Sequence, residues 1–227
     1  MISKLFQNSL LPARGASILL DASGTIIDDL RTTYLIVCEI LRHYGRPDIP
    51  ITEFQETFRL PFWKIFRYLG IEDVPVAEFA RMYDELFSSY EDNVSIFGEV
   101  RAFLDACSAL DITVGIASQT PRKQIESLLS RFKIRHYFQA VVSLEDSAEQ
   151  KPAPLPLLIA AEQMRARQNS LIYIGDMAED VLSAKNARIP GVAIYRQASS
   201  YTTRMKLLSA KPSAIISSLK EVFRSAN

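Results

Sequence analysis

Aspartate, serine and lysine side chains stand at the ends of short apolar runs, where they could act together on a bound group. Asp21 and Ser118 each end such a run, Asp176 follows another with Asp180 four residues later, and Lys151 opens a proline-rich segment. Paired carboxylates offer the oxygen ligands that hard divalent cations prefer, with Mg²⁺ the usual choice. A serine before a helix lies where free backbone N–H groups favour an anion, and lysine adds positive charge. The set suits a phosphoryl group approaching a carboxylate nucleophile.

The apolar runs before these residues predict the strands of a parallel sheet. Ile18-Leu19-Leu20 runs directly into Asp21, and the turn residues Gly24-Thr25 follow. Short apolar runs bounded by turn signals are typical of buried strands, and ligands bind beyond the carboxyl ends of such strands in open α/β sheets. After Phe97, strands alternate with helical segments; we predict them at 112–117, 141–142, 171–174, 191–195 and 214–216. This alternation predicts an α/β fold with a doubly wound parallel sheet, of the Rossmann-like kind.

The stretch between the first strand and Phe97 has a helical pattern throughout and contains no strand signal. The predicted helices cover about 28–45, a segment opened by a capping box of Thr52 and Gln55, residues 61–69, and about 76–91. We therefore expect an inserted, all-helical second domain. The predicted division is a core of residues 1–27 and 97–227 and a helical domain of residues 28–96.

Composition excludes some classes of partner. The 227 residues contain 26 Lys+Arg and 26 Asp+Glu, so the formal net charge is zero, which argues against general attraction to nucleic acid or to anionic membranes. No apolar run approaches the roughly 18 residues of a membrane span. Cys38 and Cys107 form no metal or redox motif, which indicates a reduced, cytoplasmic protein. The basic residues of the C-terminal region are expected on a solvated face; they are Arg196, Arg204, Lys206 and Lys211.

Four motifs in this order resemble those of the haloacid dehalogenase-like superfamily, across nearly the whole chain. The segment Asp21-Ala22-Ser23-Gly24-Thr25 is similar to its first motif, and Ser118 after an apolar strand is similar to its second. Lys151-Pro152-Ala153-Pro154 resembles the third and Gly175-Asp176-Met177-Ala178-Glu179-Asp180 the fourth. The helical insertion resembles the helical cap of this superfamily. Its segment from Phe58 to Lys64 resembles that of phosphoglycolate-phosphatase-like members.

The resemblance implies a role for each matching residue. Asp21 would attack phosphorus and form an aspartyl-phosphate, and Ser118 and Lys151 would bind the phosphoryl oxygens and offset the charge that develops there. Mg²⁺ would be held by Asp21, the backbone carbonyl of Ser23 and Asp176, with Asp180 alongside. In the cap segment, Arg59 and Lys64 are candidate substrate-binding residues, although most such side chains are ordinary surface charges.

Ser23 departs from the pattern, because phosphatases of this superfamily carry a second aspartate at that position. That aspartate protonates the leaving alcohol and then activates water, and such acid–base help is worth about 10²–10⁴-fold. A serine hydroxyl is too weak an acid to replace it directly. We therefore expect a Mg²⁺-dependent phosphatase of a small phosphorylated metabolite that has Ser23 in place of the usual acid and favours good leaving groups.

Two other readings stay open at the level of the sequence. Phosphonoacetaldehyde hydrolases also lack the second aspartate and use a cap lysine to form a Schiff base, a role that Lys64 could fill. A catalytically damped member would bind a phosphorylated ligand or a partner protein without turnover. Dehalogenases lack an aspartate corresponding to Asp176, so the intact Gly175-Asp176 pair argues against dehalogenation.

Overall fold

A six-stranded parallel sheet lies at the centre of the computed structural model, which describes residues 15–223. The strands in chain order are β1 (Ser17–Leu20), β2 (Ile27–Asp28), β3 (Ser95–Ile96), β4 (Thr113–Ala117), β5 (Phe138–Val142), β6 (Leu171–Gly175), β7 (Gly191–Ile194) and β8 (Ala214–Ile216). The sheet order is β5-β4-β1-β6-β7-β8, and β2 pairs with β3 in a separate antiparallel ribbon. The first 14 residues of the predicted core domain lie outside the described part of the chain.

The α-helices divide between the two parts of the chain on either side of the ribbon. Between β2 and β3 lie α1 (Leu30–His43), α2 (Ile51–Thr57), α3 (Lys64–Tyr68) and α4 (Val76–Tyr90). After β3 come α5 (Val100–Ala109), α6 (Arg122–Arg131), α7 (Leu155–Gln163), α8 (Ala178–Asn186) and α9 (Arg204–Ser209). Within residues 15–223, none of the helices has the length and hydropathy that crossing a membrane requires.

The two faces of the sheet are buried against different helices. Every residue of β1 is buried, as is typical of a strand covered on both faces. Ile18 and Leu20 pack in one apolar cluster with residues of α5 and α6, whereas Leu19 packs in another with residues of α7 and α8. Alternate side chains of a strand point to opposite faces, so helices cover both sides. The predicted doubly wound parallel sheet is confirmed.

The register of the sheet brings the polar residues to one edge. Leu20 at the end of β1 pairs with Ile116 of β4 and Ile174 of β6. The strands are parallel, so the residues that follow them emerge at the same edge. The backbone N–H of Asp21 continues the ladder by donating to the carbonyl of Ile174 at 2.9 Å.

Helices α1 to α4, here called the helical insertion, contribute an aromatic group to an apolar cluster that continues into the sheet core. Phe54, Phe66 and Phe79 are fully buried, and the rings of Phe66 and Phe79 stack with centroids 4.5 Å apart. The predicted boundaries at 27/28 and 96/97 fall in or next to the β2–β3 ribbon. The division into two domains stays a prediction.

Some local expectations were wrong. Pro50 occupies the N-cap position of α2, and no side chain caps the helix, so Thr52 lies in its first turn rather than at a capping box. Helix α3 begins at Lys64, after a turn at 61–63. The ribbon was missed because strands of two residues are too short to show an alternating pattern.

Arg196 is not on a solvated face, contrary to expectation. Its side chain is 9% exposed, and its guanidinium pairs with Glu99 at 2.7 Å. It also donates to the carbonyls of Gly24 at 2.9 Å and Thr25 at 3.1 Å, and it lies 3.7 Å from the ring centroid of Phe97. Lys206 is likewise half-buried against the α2 carbonyls, whereas Arg204 and Lys211 are exposed.

Candidate active site

A buried ammonium group joins two of the predicted carboxylates. Lys151 Nζ donates to Asp21 Oδ1 at 2.9 Å, to Asp180 Oδ1 at 2.6 Å and to the Tyr173 hydroxyl at 3.0 Å. Although burial opposes the charged form, the charges of Asp180 and Asp21 raise the pKa of Lys151. Asp180 Oδ2 in turn accepts from the backbone N–H of Met177 at 2.9 Å, which fixes this carboxylate at the start of α8.

Asp176 completes a group of carboxylates that fits a divalent cation. One oxygen from each of Asp21, Asp176 and Asp180 lies within 4.8 Å of the others. Asp176 Oδ1 is buried and has no hydrogen-bond partner among the described residues. Burial, followed by the charges of Asp180 and Asp21, raises the pKa of Asp176 well above its usual value. A hard cation would ligate this oxygen and offset the excess negative charge, so the donor set fits Mg²⁺.

The turn after β1 passes so close to Asp176 that only glycine fits. Gly24 has a φ of +72°, and a Cβ atom there would lie 2.3 Å from Asp176 Oδ2. Its N–H donates to the carbonyl of Ile27 at 2.8 Å, which closes the turn. The first and fourth predicted motifs are therefore in direct contact.

Ser118 lies at the end of β4, before the first turn of α6. Its hydroxyl is within hydrogen-bond distance of Thr120 Oγ1, at 3.1 Å, and accepts from the backbone N–H of Thr120 at 3.3 Å. Ser118 N donates to the carbonyl of Val142 at 2.9 Å, which continues the sheet ladder and fixes the backbone. The residue is 3% exposed and lines the same cavity as Asp21.

Ser23 is hydrogen-bonded to a buried carboxyl group that the sequence analysis did not identify. Ser23 Oγ donates to Asp29 Oδ2 at 2.7 Å and lies 3.3 Å from Thr120 Oγ1. Asp29 is 2% exposed, and its other oxygen accepts from the Tyr201 hydroxyl at 2.9 Å. Burial raises the pKa of Asp29 to about 6, against the opposing effect of its hydrogen bonds. The carboxyl group of Asp29 is therefore in hydrogen-bond contact with Ser23, the residue that replaces the usual acid.

A cavity of about 290 Å³ between the sheet edge and the helical insertion collects most of the predicted residues. The predicted residues that line it are Asp21, Ser23, Ser118, Lys151 and Asp176. Asp180 lies behind Lys151 and supports it. Arg59 and Lys64 are exposed and do not line the cavity. Arg59 instead lies toward Lys206 of α9. The partial burial of Lys206 is the main cause that lowers its pKa, and the charge of Arg59 is the second.

The sequence analysis missed several polar residues of the site, and two of them, Asp29 and Tyr173, contact predicted residues directly. Asp29 stands just before α1, where an acidic residue is expected simply to favour the helix N-terminus. Tyr173 interrupts the apolar run of β6, and its hydroxyl donates to the carbonyl of Ala117 at 2.9 Å. A buried tyrosine needs a hydrogen-bond partner, so a tyrosine within an apolar strand was the available signal.

A doubly wound α/β sheet, a carboxylate cluster at its carboxyl edge and a helical insertion after the first strand together define a class of hydrolase. Residues 18–194 match the family model of the haloacid dehalogenase-like hydrolases, and the chain belongs to this family.

Individual relatives agree with this assignment. The chain is 30% identical over 115 residues to phosphoglycolate phosphatase of Shigella boydii, an alignment that covers 50% of this chain and 46% of the relative. The chain thus spans about half the length of the curated relatives it matches. Among solved structures, a candidate phosphoglycolate phosphatase from Lactobacillus plantarum superposes with a TM-score of 0.82 at 20% identity, covering 92% of this chain and 98% of that one. A haloacid dehalogenase-like family hydrolase from Streptococcus pneumoniae gives 0.78 at 18% identity, covering 91% and 96%. These structural similarities establish the fold.

Proposed function

We propose that this chain is a Mg²⁺-dependent phosphatase that acts on a small phosphorylated metabolite through an aspartyl-phosphate on Asp21. The observation that carries the proposal is the arrangement at the sheet edge. Asp21 faces a cavity, its Oδ1 is held by Lys151, and the unpartnered oxygen of Asp176 lies close by. The curated relatives named phosphoglycolate phosphatase support the same reaction type. A cytoplasmic location belongs to this proposal as well.

Several residues of the chain have separate roles in phosphoryl transfer. A carboxylate oxygen of Asp21 attacks phosphorus, the ester P–O bond breaks, and water later releases phosphate from the acyl phosphate. Lys151 and Ser118 line the cavity beside Asp21 and offset the negative charge of the transferring group. When bound, Mg²⁺ would be held by Asp21, Asp176 and the Ser23 carbonyl, with Asp180 alongside, and would stabilise the same charge as a Lewis acid.

Replacing the nucleophile tests the proposal. Asp21→Asn should lower Mg²⁺-dependent release of phosphate from phenyl phosphate by about 10³-fold or more, because the amide cannot form the acyl phosphate. Mass spectrometry of acid-quenched wild type should place a phosphoryl group on Asp21. Asp28→Asn is the matched control, since Asp28 is an acidic residue outside the cavity lining, and it should keep the wild-type rate. Equal turnover by Asp21→Asn and wild type would contradict the mechanism.

We further propose that Ser23 does not act alone, because Asp29 supplies the carboxyl group behind it. The first step needs the protonated form of Asp29, whose carboxyl group donates to Ser23 Oγ across their 2.7 Å contact, the reverse of the hydrogen bond that Ser23 donates to the ionised form. The leaving oxygen takes the Ser23 hydroxyl proton, the Asp29 proton replaces it, and Asp29 is left ionised. In the second step the proton from the attacking water returns along the same two groups. This relay supplies the acid and base that the first motif lacks at position 23.

The leaving group reports on this relay. Asp29→Asn should slow hydrolysis of alkyl phosphates by about 10²–10⁴-fold, but that of 4-nitrophenyl phosphate by less than about tenfold, because nitrophenoxide needs no proton to depart. Tyr201→Phe removes the side-chain hydrogen bond to the second oxygen of Asp29 and leaves the Asp29 carboxyl group, so it should keep the wild-type dependence on the leaving group. If Asp29→Asn slowed both substrates equally, the relay would be wrong.

Neither alternative function gains an observation in its favour. Lys64 is exposed and does not line the cavity, so a Schiff base there would form away from Asp21. A damped, ligand-binding member would lack the groups for proton transfer, whereas Ser23 and Asp29 stand in hydrogen-bond contact. The phosphatase is therefore the function we propose.

A further inference from the structure

We propose that the substrate is a phosphomonoester whose alcohol part is aromatic or otherwise apolar and carries no negative charge. This inference rests on the phosphatase function proposed above and specifies its substrate class. It follows from the residues that the helical insertion and the sheet edge contribute to the cavity lining.

The wall contributed by the helical insertion is mainly apolar and aromatic. Thr33 and Asp84 are its polar members, and the others are Phe58, Leu60, Phe62, Ala80 and Tyr83. The rings of Phe62 and Tyr83 lie with their centroids 4.9 Å apart. Such surfaces gain from covering another apolar or aromatic group, because apolar area is removed from water and rings pack edge to face or offset. The alcohol part of a substrate bound to Asp21 would meet this wall.

The charges around the cavity would repel an anionic alcohol part. Asp84 of α4 and Glu145, after β5, line the cavity in addition to the acidic cluster. Among the described residues that line it, Lys151 is the only cation, and its ammonium already pairs with Asp21 and Asp180. A substrate carboxylate would thus meet like charges and no free cation among the lining residues, and like-charge contacts across an interface are strongly unfavourable. The exposed Lys123, whose charge acts on Asp84, lies outside the lining.

Two buried amide oxygens, of residues after β4 and in α6, also disfavour a negatively charged alcohol part. Gln119 Oε1 and Gln124 Oε1 are buried without a hydrogen-bond partner among the described residues, and both glutamines line the cavity. The amide nitrogen of Gln119 donates to Gln150 at 3.2 Å, which leaves its oxygen free as an acceptor. These oxygens fit a hydroxyl or N–H donor on the alcohol part and offer nothing to a carboxylate.

This substrate class differs from the one named for the curated relatives, since phosphoglycolate carries a carboxylate on its alcohol part. The basic residues predicted in the cap segment, Arg59 and Lys64, lie outside the cavity lining and provide no partner for that carboxylate. This chain should therefore discriminate against phosphoglycolate.

The test compares phenyl phosphate with 4-carboxyphenyl phosphate at saturating Mg²⁺. The two share the phosphoryl group and the ring, and the carboxylated phenol is the slightly better leaving group, so chemistry alone does not favour phenyl phosphate. We expect kcat/KM to be at least about tenfold higher for phenyl phosphate. Asp84→Asn should narrow that ratio, whereas Asp73→Asn, which removes a charge of the helical insertion outside the cavity lining, should leave it unchanged.

The outcomes separate this inference from the proposed function. If both esters were hydrolysed with equal kcat/KM, or the carboxylated ester or 2-phosphoglycolate were preferred, the substrate class would be wrong and the phosphatase function would stand. If none of the three were hydrolysed by the Mg²⁺-loaded protein, the proposed function would fail, and the substrate class with it. A preference for phenyl phosphate that Asp84→Asn narrows and Asp73→Asn does not would support both.

Discussion

Lys151 is the residue on which the charge balance of the site depends. Its ammonium is fully buried and lies between the carboxylates of Asp21 and Asp180, with Tyr173 as its third acceptor. A buried charge is costly unless it is paired, and removing one partner leaves the others uncompensated. The geometry of the nucleophile and the stability of the domain therefore depend on the same side chain.

We predict that Lys151→Met destabilises the metal-free protein by about 3–5 kcal/mol, because Asp21 and Asp180 are then buried without a counter-charge. Urea unfolding in EDTA measures this loss. Adding Asp180→Asn to the variant should restore part of the stability, since it removes one of the unpaired carboxylates. A loss below about 1 kcal/mol, or no recovery in the double variant, would show that the pairing in the site does not stabilise the fold.

Residues that follow strand ends were predictable, and residues that depend on distant contacts were not. Asp21, Ser118 and Asp176 each follow an apolar run, and parallel strands bring the ends of such runs to one edge. Asp29 is buried by a tertiary contact, because its partner Tyr201 lies 172 positions away. No local pattern at Asp28-Asp29 reports that contact, so Asp29 resembles an ordinary acidic residue at a helix start.

Arg196 connects elements that are far apart in the sequence. It follows β7 closely, pairs with Glu99 just before α5, and donates to the carbonyls of the turn that contains Gly24 and Thr25. That turn contacts Asp176, and the ring of Phe97 next to β3 lies against the guanidinium. The side chain of Arg196 thus connects the turn at Gly24-Thr25 with Phe97 at the end of the β2–β3 ribbon.

Arg196→Ala should destabilise the protein by on the order of 3 kcal/mol, because it removes a buried ion pair partner and leaves two turn carbonyls without a donor. Arg204→Ala is the matched control, since Arg204 is exposed at the start of α9, and it should change stability by less than about 0.5 kcal/mol. Urea denaturation of both variants measures the difference. Equal stabilities would mean that Arg196 is no more than a surface charge.

Elements with enough residues to show a period were predictable from the sequence, and shorter ones were not. Strand β1 and helices α1 and α4 lie close to their predicted positions because apolar runs and helical spacing extend over several residues. Strands β2 and β3 have two residues each and are held by pairing with each other. Thr203 is the N-cap of helix α9, and its side chain accepts from the backbone N–H of Lys206. The segment was expected to be only a charged, solvated surface.

At the scale of the whole molecule, a chain with no net charge buries a small group of aspartates in one region. Among the described residues these are Asp21, Asp29, Asp176 and Asp180. Burial raises the pKa of Asp29 to about 6, and burial also raises the pKa of Asp176 well above its usual value. The groups that face Asp29 are Ser23, Tyr201, the backbone of Gly24 and the charge of Asp21. Without a bound cation, the folded state therefore holds protons that the unfolded state releases.

This difference fixes the sign of the pH dependence. A carboxyl group whose pKa is higher in the folded state binds more protons there between its ordinary value of 3.8 and about 6, so stability falls as pH rises through that window. In EDTA, Asp29 alone should make the free energy of unfolding about 1 kcal/mol larger at pH 5 than at pH 7. Asp29→Asn should remove that contribution, whereas Asp48→Asn, at an exposed acidic residue, should keep it.

Saturating Mg²⁺ should add more stability at pH 7 than at pH 5, because it binds the ionised carboxylates of the folded state. Urea unfolding at the two pH values measures each difference, and an identical pH dependence in wild type and Asp29→Asn would contradict the buried, proton-binding role of Asp29.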